Sequence, residues 1–207
     1  YILGDILAAQ SSSVLAKLAV GLDGQIIKAD SSVAAGIKWA DDSVPKVASS
    51  YVGVRVDNTA NETSIMSVTL PGSVLGASNA VQVRVFVDEF TTQNSTDTLT
   101  LKAHYGGTSV ATLIFTGGEN TDLKGTIDFD LVGRGAVSSQ IGILNVVLLP
   151  DRLTLQNPSV MGHNGYINNN ISIDSNANQT LGVTAKWSAA NVDNEFGTPA
   201  YIVTKIT

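Results

Sequence analysis

The sequence predicts an all-β protein: a jelly-roll-like β-sandwich head preceded by a small Gly/Ala/Ser-rich N-terminal stalk or attachment segment. Three observations carry this. Apolar and polar residues alternate through successive short runs. Gly, Pro and Asn punctuate the gaps between the runs. No stretch sustains a helical period over several turns.

Residues 1–47 hold their apolar residues in short groups, Ile6-Leu7-Ala8, Val14-Leu15-Ala16, Leu18-Ala19-Val20, Ile26-Ile27, Ile37 and Trp39. Leu15, Leu18 and Leu22 approach helical spacing, but Gly21 and Gly24 interrupt it, so short strands and turns are expected. The segment has too little apolar surface for a core of its own and is expected to fold against other chains. Val44-Pro45-Lys46 marks the junction to the head, residues 48–207.

In the head, Val81, Val83, Val85 and Val87 alternate with Gln82, Arg84, Phe86 and Asp88, the pattern of a sheet with one face buried. The same period of two runs through Leu99 and Leu101, through Ile127, Phe129 and Leu131, and through Leu181, Val183, Ala185 and Trp187. Further β-rich runs are Tyr51–Asp57, Ser64–Leu70, Val110–Thr116, Gln140–Leu149 and Ala200–Ile206. Turns are expected at Pro71-Gly72, Gly106-Gly107, Gly117-Gly118, Gly133-Arg134-Gly135 and Asn176-Ala177-Asn178. About nine strands of this length suit two packed sheets, and a jelly roll in particular. Periodicity leaves the strand order open.

Composition narrows the function. The 207 residues suggest one full domain with a smaller appendage. Cysteine is absent, which excludes disulfides and thiolate metal sites. The net charge is −6 and Arg55, Arg84, Arg134 and Arg152 are scattered singly, so no nucleic-acid surface is expected. No apolar run approaches the ~20 residues of a membrane helix, and no basic segment followed by an apolar block marks a secretory leader. Charged residues are 14% of the chain, against roughly 25% in ordinary soluble domains. A surface of small neutral polar groups packs well against copies of itself.

Two stretches resemble phage virion proteins. Gly4-Asp5-Ile6-Leu7-Ala8, Leu15-Ala16-Lys17-Leu18-Ala19-Val20-Gly21, Gly24-Gln25-Ile26-Ile27 and Gly36-Ile37-Lys38-Trp39 follow, in order, a module recurrent in phage tail fibres. Val81–Val85, Thr98–Lys102 with Tyr105-Gly106-Gly107-Thr108, and Leu181–Ser188 are similar to β-sandwich heads of phage structural proteins. The resemblance implies a homotrimeric fibre, spike or decoration protein of the virion, assembled in the host bacterial cytoplasm. It would be held to other capsid or tail proteins by its N-terminal segment, with a host-surface glycan as a further partner.

No enzyme signature accompanies it. The two histidines, His104 and His163, lack a nucleophile elbow, and no phosphate-binding loop is present. Asp128 with Asp130, and Asp88 with Glu89, are the acid pairs a glycan hydrolase would need, but a solvated sheet face explains them more simply. Asp174-Ser175-Asn176-Ala177-Asn178 imitates the start of a calcium loop, yet Gln179 and Ala185 stand where glycine and glutamate are required. Asp41-Asp42 and Asp193-Asn194-Glu195 are carboxylate groups suited to a subunit interface. No metal or cofactor is expected. Tyr166 and His163, in a segment read as an exposed loop, are the candidate receptor-binding residues; Tyr105 and Tyr201, like Tyr166, could also stack on sugars, although with 6% aromatics a structural use explains the tyrosines more simply. Trp187 is expected in the core or between subunits, and Trp39 as an anchor between chains. The alternatives are a glycan-degrading spike and a secreted carbohydrate-binding module.

Overall fold

A computed structural model describes residues 5–11, 14–22, 25–41, 46–92, 96–116, 123–150 and 161–206. The chain divides into two units, Tyr1–Val44 and Pro45–Thr207.

The first unit holds β1 (Ile6–Ser11), β2 (Val14–Leu18), β3 (Gln25–Ala29) and β4 (Ile37–Asp41), paired as two separate antiparallel hairpins. Trp39 of β4 lies over Gly21 and donates its indole N–H to the Ala19 carbonyl at 2.6 Å. A β-carbon at Gly21 would stand 2.6 Å from the indole ring, so the glycine and the tryptophan of this segment belong together physically. Ala8 is the one buried apolar side chain among the described residues of this unit, while Leu15 and Leu22 are 65% and 77% exposed. Hairpins with so little burial are marginal in water.

The second unit contains β5 (Lys46–Ser50), β6 (Val54–Arg55), β7 (Thr63–Leu70), β8 (Ala80–Val87), β9 (Glu89–Thr91), β10 (Thr98–Tyr105), β11 (Thr108–Thr116), β12 (Leu123–Ala136), β13 (Ser139–Pro150), β14 (Met161–Ile171), β15 (Gln179–Trp187), β16 (Glu195–Thr198) and β17 (Ala200–Ile206). One sheet runs β5-β17-β8-β12-β13-β14 and the other β7-β15-β10-β11, antiparallel throughout. Leaving aside the added β13 and β14, the eight principal strands fall in the order first, eighth, third, sixth in one sheet. In the other the order is second, seventh, fourth, fifth. That interleaving is a jelly roll. Strand β5 straddles the junction placed after Val47 and pairs within this unit.

The alternating valines of β8 face inward against Ile127, Phe129 and Leu131 of β12, and against Leu99, Leu101, Leu181, Val183 and Trp187 of the opposite sheet. Each such side chain contributes about 1.5–3 kcal/mol by leaving water. Trp187 stacks near Phe90 and donates its N–H to the Val56 carbonyl at 2.7 Å, so its polar atom is satisfied inside the core.

Some local expectations change. Gly106 and Gly107 form the tight β10–β11 turn with φ of +56° and +78°. Gly133-Arg134-Gly135 is instead the last part of β12, where a register shift absorbs Arg134 and Gly135 and moves the turn to Val137-Ser138. The run Tyr51–Asp57 breaks after β5, and only Val54–Arg55 is strand. Gly117-Gly118 lies outside the described residues. No helix among the described residues is long and apolar enough to cross a membrane.

Candidate functional site

The site grows from the small sheet β6-β16-β9. Arg55 of β6 and Glu89 of β9 are both registered against Gly197 of β16, from opposite sides. Val87 and Phe90 both turn inward, so the chain bends at Asp88 and leaves Asp88 and Glu89 facing outward. The bend is fixed by the Asp88 N–H, which donates to the Gly197 carbonyl at 3.1 Å.

Arg55 is held by carboxylates. Its Nε donates to Asp57 Oδ2 at 3.1 Å, its Nη1 to Glu89, and Glu195 Oε2 lies 3.9 Å from Nη2. The hydrogen bonds to Asp57 and Glu89 raise the guanidinium above its ordinary range. Glu89 and Glu195 hydrogen-bond to one another, which holds the Glu89 carboxyl low and pushes that of Glu195 up. Arg55 is thus set in a frame of carboxylates drawn from three separate segments of the chain. Beside it is a depression of about 240 Å³ lined by Tyr51, Gly53, Val54, Arg55, Asp88, Thr198 and Pro199. Tyr51 is 79% exposed.

A second depression, of about 220 Å³, lies on the outer face of the six-stranded sheet between Gln82, Arg84, Phe86, Ile202 and Thr204. Arg84 Nε donates to Asp128 Oδ1 at 2.6 Å, and Gln82 Nε2 donates to Asp130 Oδ1 at 3.0 Å. Burial pushes the Asp130 carboxyl up.

The residues singled out from sequence are dispersed differently. His163 and Tyr166 are not in a loop. They lie in β14, an edge strand, registered opposite Val146 and Leu144, and their side chains lie outside the described residues. The β13–β14 ladder extends through this segment because Gln140–Leu149 is long enough to pair on both sides. Tyr105 is 1% exposed and cannot stack on a sugar, since it points inward at the end of β10. Tyr201 is half-buried against the core. His104 lies on the outer face of the four-stranded sheet, 3.1 Å from Thr184 Oγ1 and 3.6 Å from Glu62. Asp174 accepts from the Asn176 N–H at 2.9 Å and Asn178 from the Gly72 N–H at 2.8 Å, so these oxygens serve a turn. No group of three or more histidines or acids placed to hold a metal occurs among the described residues. Asp42 lies outside the described residues. Asp88, Glu89 and Glu195 do come together, around an arginine and a tyrosine that sequence reading passed over.

No protein-family model matches the chain, and no curated protein does. Among the solved structures similar to it are three of known kind. One is the CBM2 module of the evolved Dit of Lactobacillus casei BL23 phage J-1, with 15% identity and a TM-score of 0.32 over 73% of this chain and 74% of that one. Another is lectin I-B4 of Griffonia simplicifolia in its metal-free form, with 10% identity and a TM-score of 0.34 over 99% and 94% of the two chains. The third is an alginate lyase from Klebsiella pneumoniae, with 11% identity and a TM-score of 0.28, covering 63% of this chain and 60% of the lyase. Likenesses this distant leave the function to be argued from the site itself.

Proposed function

We propose that the jelly-roll unit binds carbohydrate without transforming it, and that the chain is a trimeric fibre, spike or decoration protein of a phage virion. The observation that carries the binding reading is the Tyr51 depression. A ring 79% exposed offers a flat apolar face to the C–H face of a sugar. Beside it, Asp88 accepts and Arg55 donates hydrogen bonds to ring hydroxyls, and the carboxylate frame around Arg55 fixes its direction in advance.

The virion reading is supported by the resemblance of residues 4–39 to phage fibre modules and by the apolar side chains left exposed on the two N-terminal hairpins. Those hairpins need a partner, and three copies wound together supply one. The non-enzymatic reading is supported by the engagement of the acids: Asp128 holds Arg84, Asp130 accepts from Gln82, and Glu89 holds Arg55.

A glycan array probed with the full chain tests the binding reading. Retention of defined glycans, lost in Tyr51→Ala, is expected, and no retention by the parent chain overturns it. Light scattering is expected to give three times the chain mass of 21.5 kDa, and a monomer overturns the trimer. Release of reducing ends from a bound glycan overturns the non-enzymatic reading.

A further inference from the structure

The second depression is lined by β8 and β17, and the Tyr51 depression lies just beyond the ends of these two strands, at Asp88 and at Thr198-Pro199. On β8, Gln82, Arg84 and Phe86 face outward, and Asp88 stands out at the bend that follows. Strand β17 runs beside them, with Thr204 opposite Gln82, Ile202 opposite Arg84 and Ala200 opposite Phe86. Thr198 and Pro199, immediately before Ala200, line the Tyr51 depression. The two depressions thus lie in line, with Phe86 and Ala200 between them, over about 20 Å at the strand rise per residue.

We infer that the site takes a linear, uncharged oligosaccharide laid along β8 and β17, with Tyr51 stacking one end and Phe86 an inner residue of the glycan. This rests on the carbohydrate reading above and specifies its ligand. Alternation is the first reason. It sets Gln82, Arg84 and Phe86 two residues apart on one face, so polar and stacking groups recur along a line, as they must for a repeating chain. A single sugar would occupy the Tyr51 depression and leave this row without a role. Ala200 is the second reason: opposite Phe86 it presents only a methyl group, so no side chain of β17 stands across the path there.

Charge is the third. Arg84 is paired with Asp128, and Arg55 with Asp57 and Glu89, so neither guanidinium carries uncompensated charge for a uronate or sulfate. Asp57, Asp88, Glu89, Asp128, Asp130 and Glu195 stand around the two arginines, with Lys124 as a further base near Glu89, so the surroundings carry more acids than bases. An acidic chain would meet net repulsion.

The test is calorimetry of the full chain with four series of increasing length: malto-, cello- and N-acetylchito-oligosaccharides, and oligogalacturonates. In one neutral series affinity is expected to rise by about tenfold or more from the disaccharide to the tetra- or pentasaccharide, with oligogalacturonates weaker at every length. Ala200→Gln, which lays a side chain across the path, and Phe86→Ala are each expected to remove the gain with length while sparing disaccharide binding. Equal affinity for disaccharide and hexasaccharide, or tighter binding of oligogalacturonate, overturns this inference and leaves the Tyr51 site standing. Failure of every series to bind overturns both. The length series on the unmodified chain decides the matter even if a variant does not fold.

Discussion

Asp88 rests its carboxylate directly over the α-carbon of Gly197: a β-carbon placed there would lie 2.5 Å from Asp88 Oδ1 and 3.2 Å from Arg55 Nη1. The colliding atoms are ends of side chains, not backbone. Gly197→Ala is therefore expected to keep the fold and turn both polar groups out of the Tyr51 depression. Sugar affinity should fall by about tenfold, the worth of one charged hydrogen bond, with the melting temperature nearly unchanged. Calorimetry beside thermal unfolding checks this; unfolding of the variant would show that β16 cannot yield.

Tyr51→Ala separates binding from stability most cleanly. The ring lies in solvent, so its loss should change unfolding free energy by no more than about 0.5 kcal/mol. Binding of any retained glycan should disappear. A large stability loss on urea unfolding would mean that the ring packs on something and is not a platform.

Trp187 is the opposite case. Trp187→Phe removes the donor that satisfies the Val56 carbonyl at 2.7 Å and leaves space beside Phe90, whose ring also meets Phe115 and Phe196. A loss of about 2–4 kcal/mol is expected in urea unfolding. A loss below 1 kcal/mol would show that water reaches Val56.

Tyr105 sets an alkaline limit. Burial, with a contribution from Asp174, pushes its phenol up to about 12. In the unfolded chain the same group ionises near 10. Below that value both states hold the proton and stability is intact. Between about 10 and 12 only the unfolded chain loses it, so stability falls by about 3 kcal/mol. Tyr105→Phe should flatten this decline relative to the parent, read as melting temperature against pH from 8 to 12.

Glu62 sets an acid limit on the same sheet. Its hydrogen bonds from Lys102 and Thr184 hold the carboxyl below the usual range. The stability it adds is present above about pH 4.3, where the unfolded group ionises, and is lost as pH falls below it. The difference in melting temperature between the parent and Glu62→Gln should be largest at neutral pH and shrink towards pH 3.

Much of the fold could be read in advance because it is local. The valines of β8, the leucines of β10 and the Leu181–Trp187 row each declare their buried face by alternation, and Gly106-Gly107 declares its turn. The same alternation had already set Gln82, Arg84, Phe86 and Asp88 together on the outer face, yet nothing local marked that row as a site. Tyr51 gave no signal, being one aromatic after a short strand. Tyr105 could be read either as a stacking ring or as a structural one, and its burial under the opposite sheet makes it structural.

By itself the sequence determined the strands that alternate cleanly, β8, β10, β12 and β15, and which side of each meets the core, since both follow from the geometry of neighbouring residues. Tertiary structure alone decided the order of the strands and everything that depends on it. Arg55 meets Glu89 and Glu195, and Trp187 reaches Val56, only because strands far apart in the chain pair in one register. Such pairing is fixed by mutual burial and hydrogen bonding across the whole sandwich, which no local pattern records.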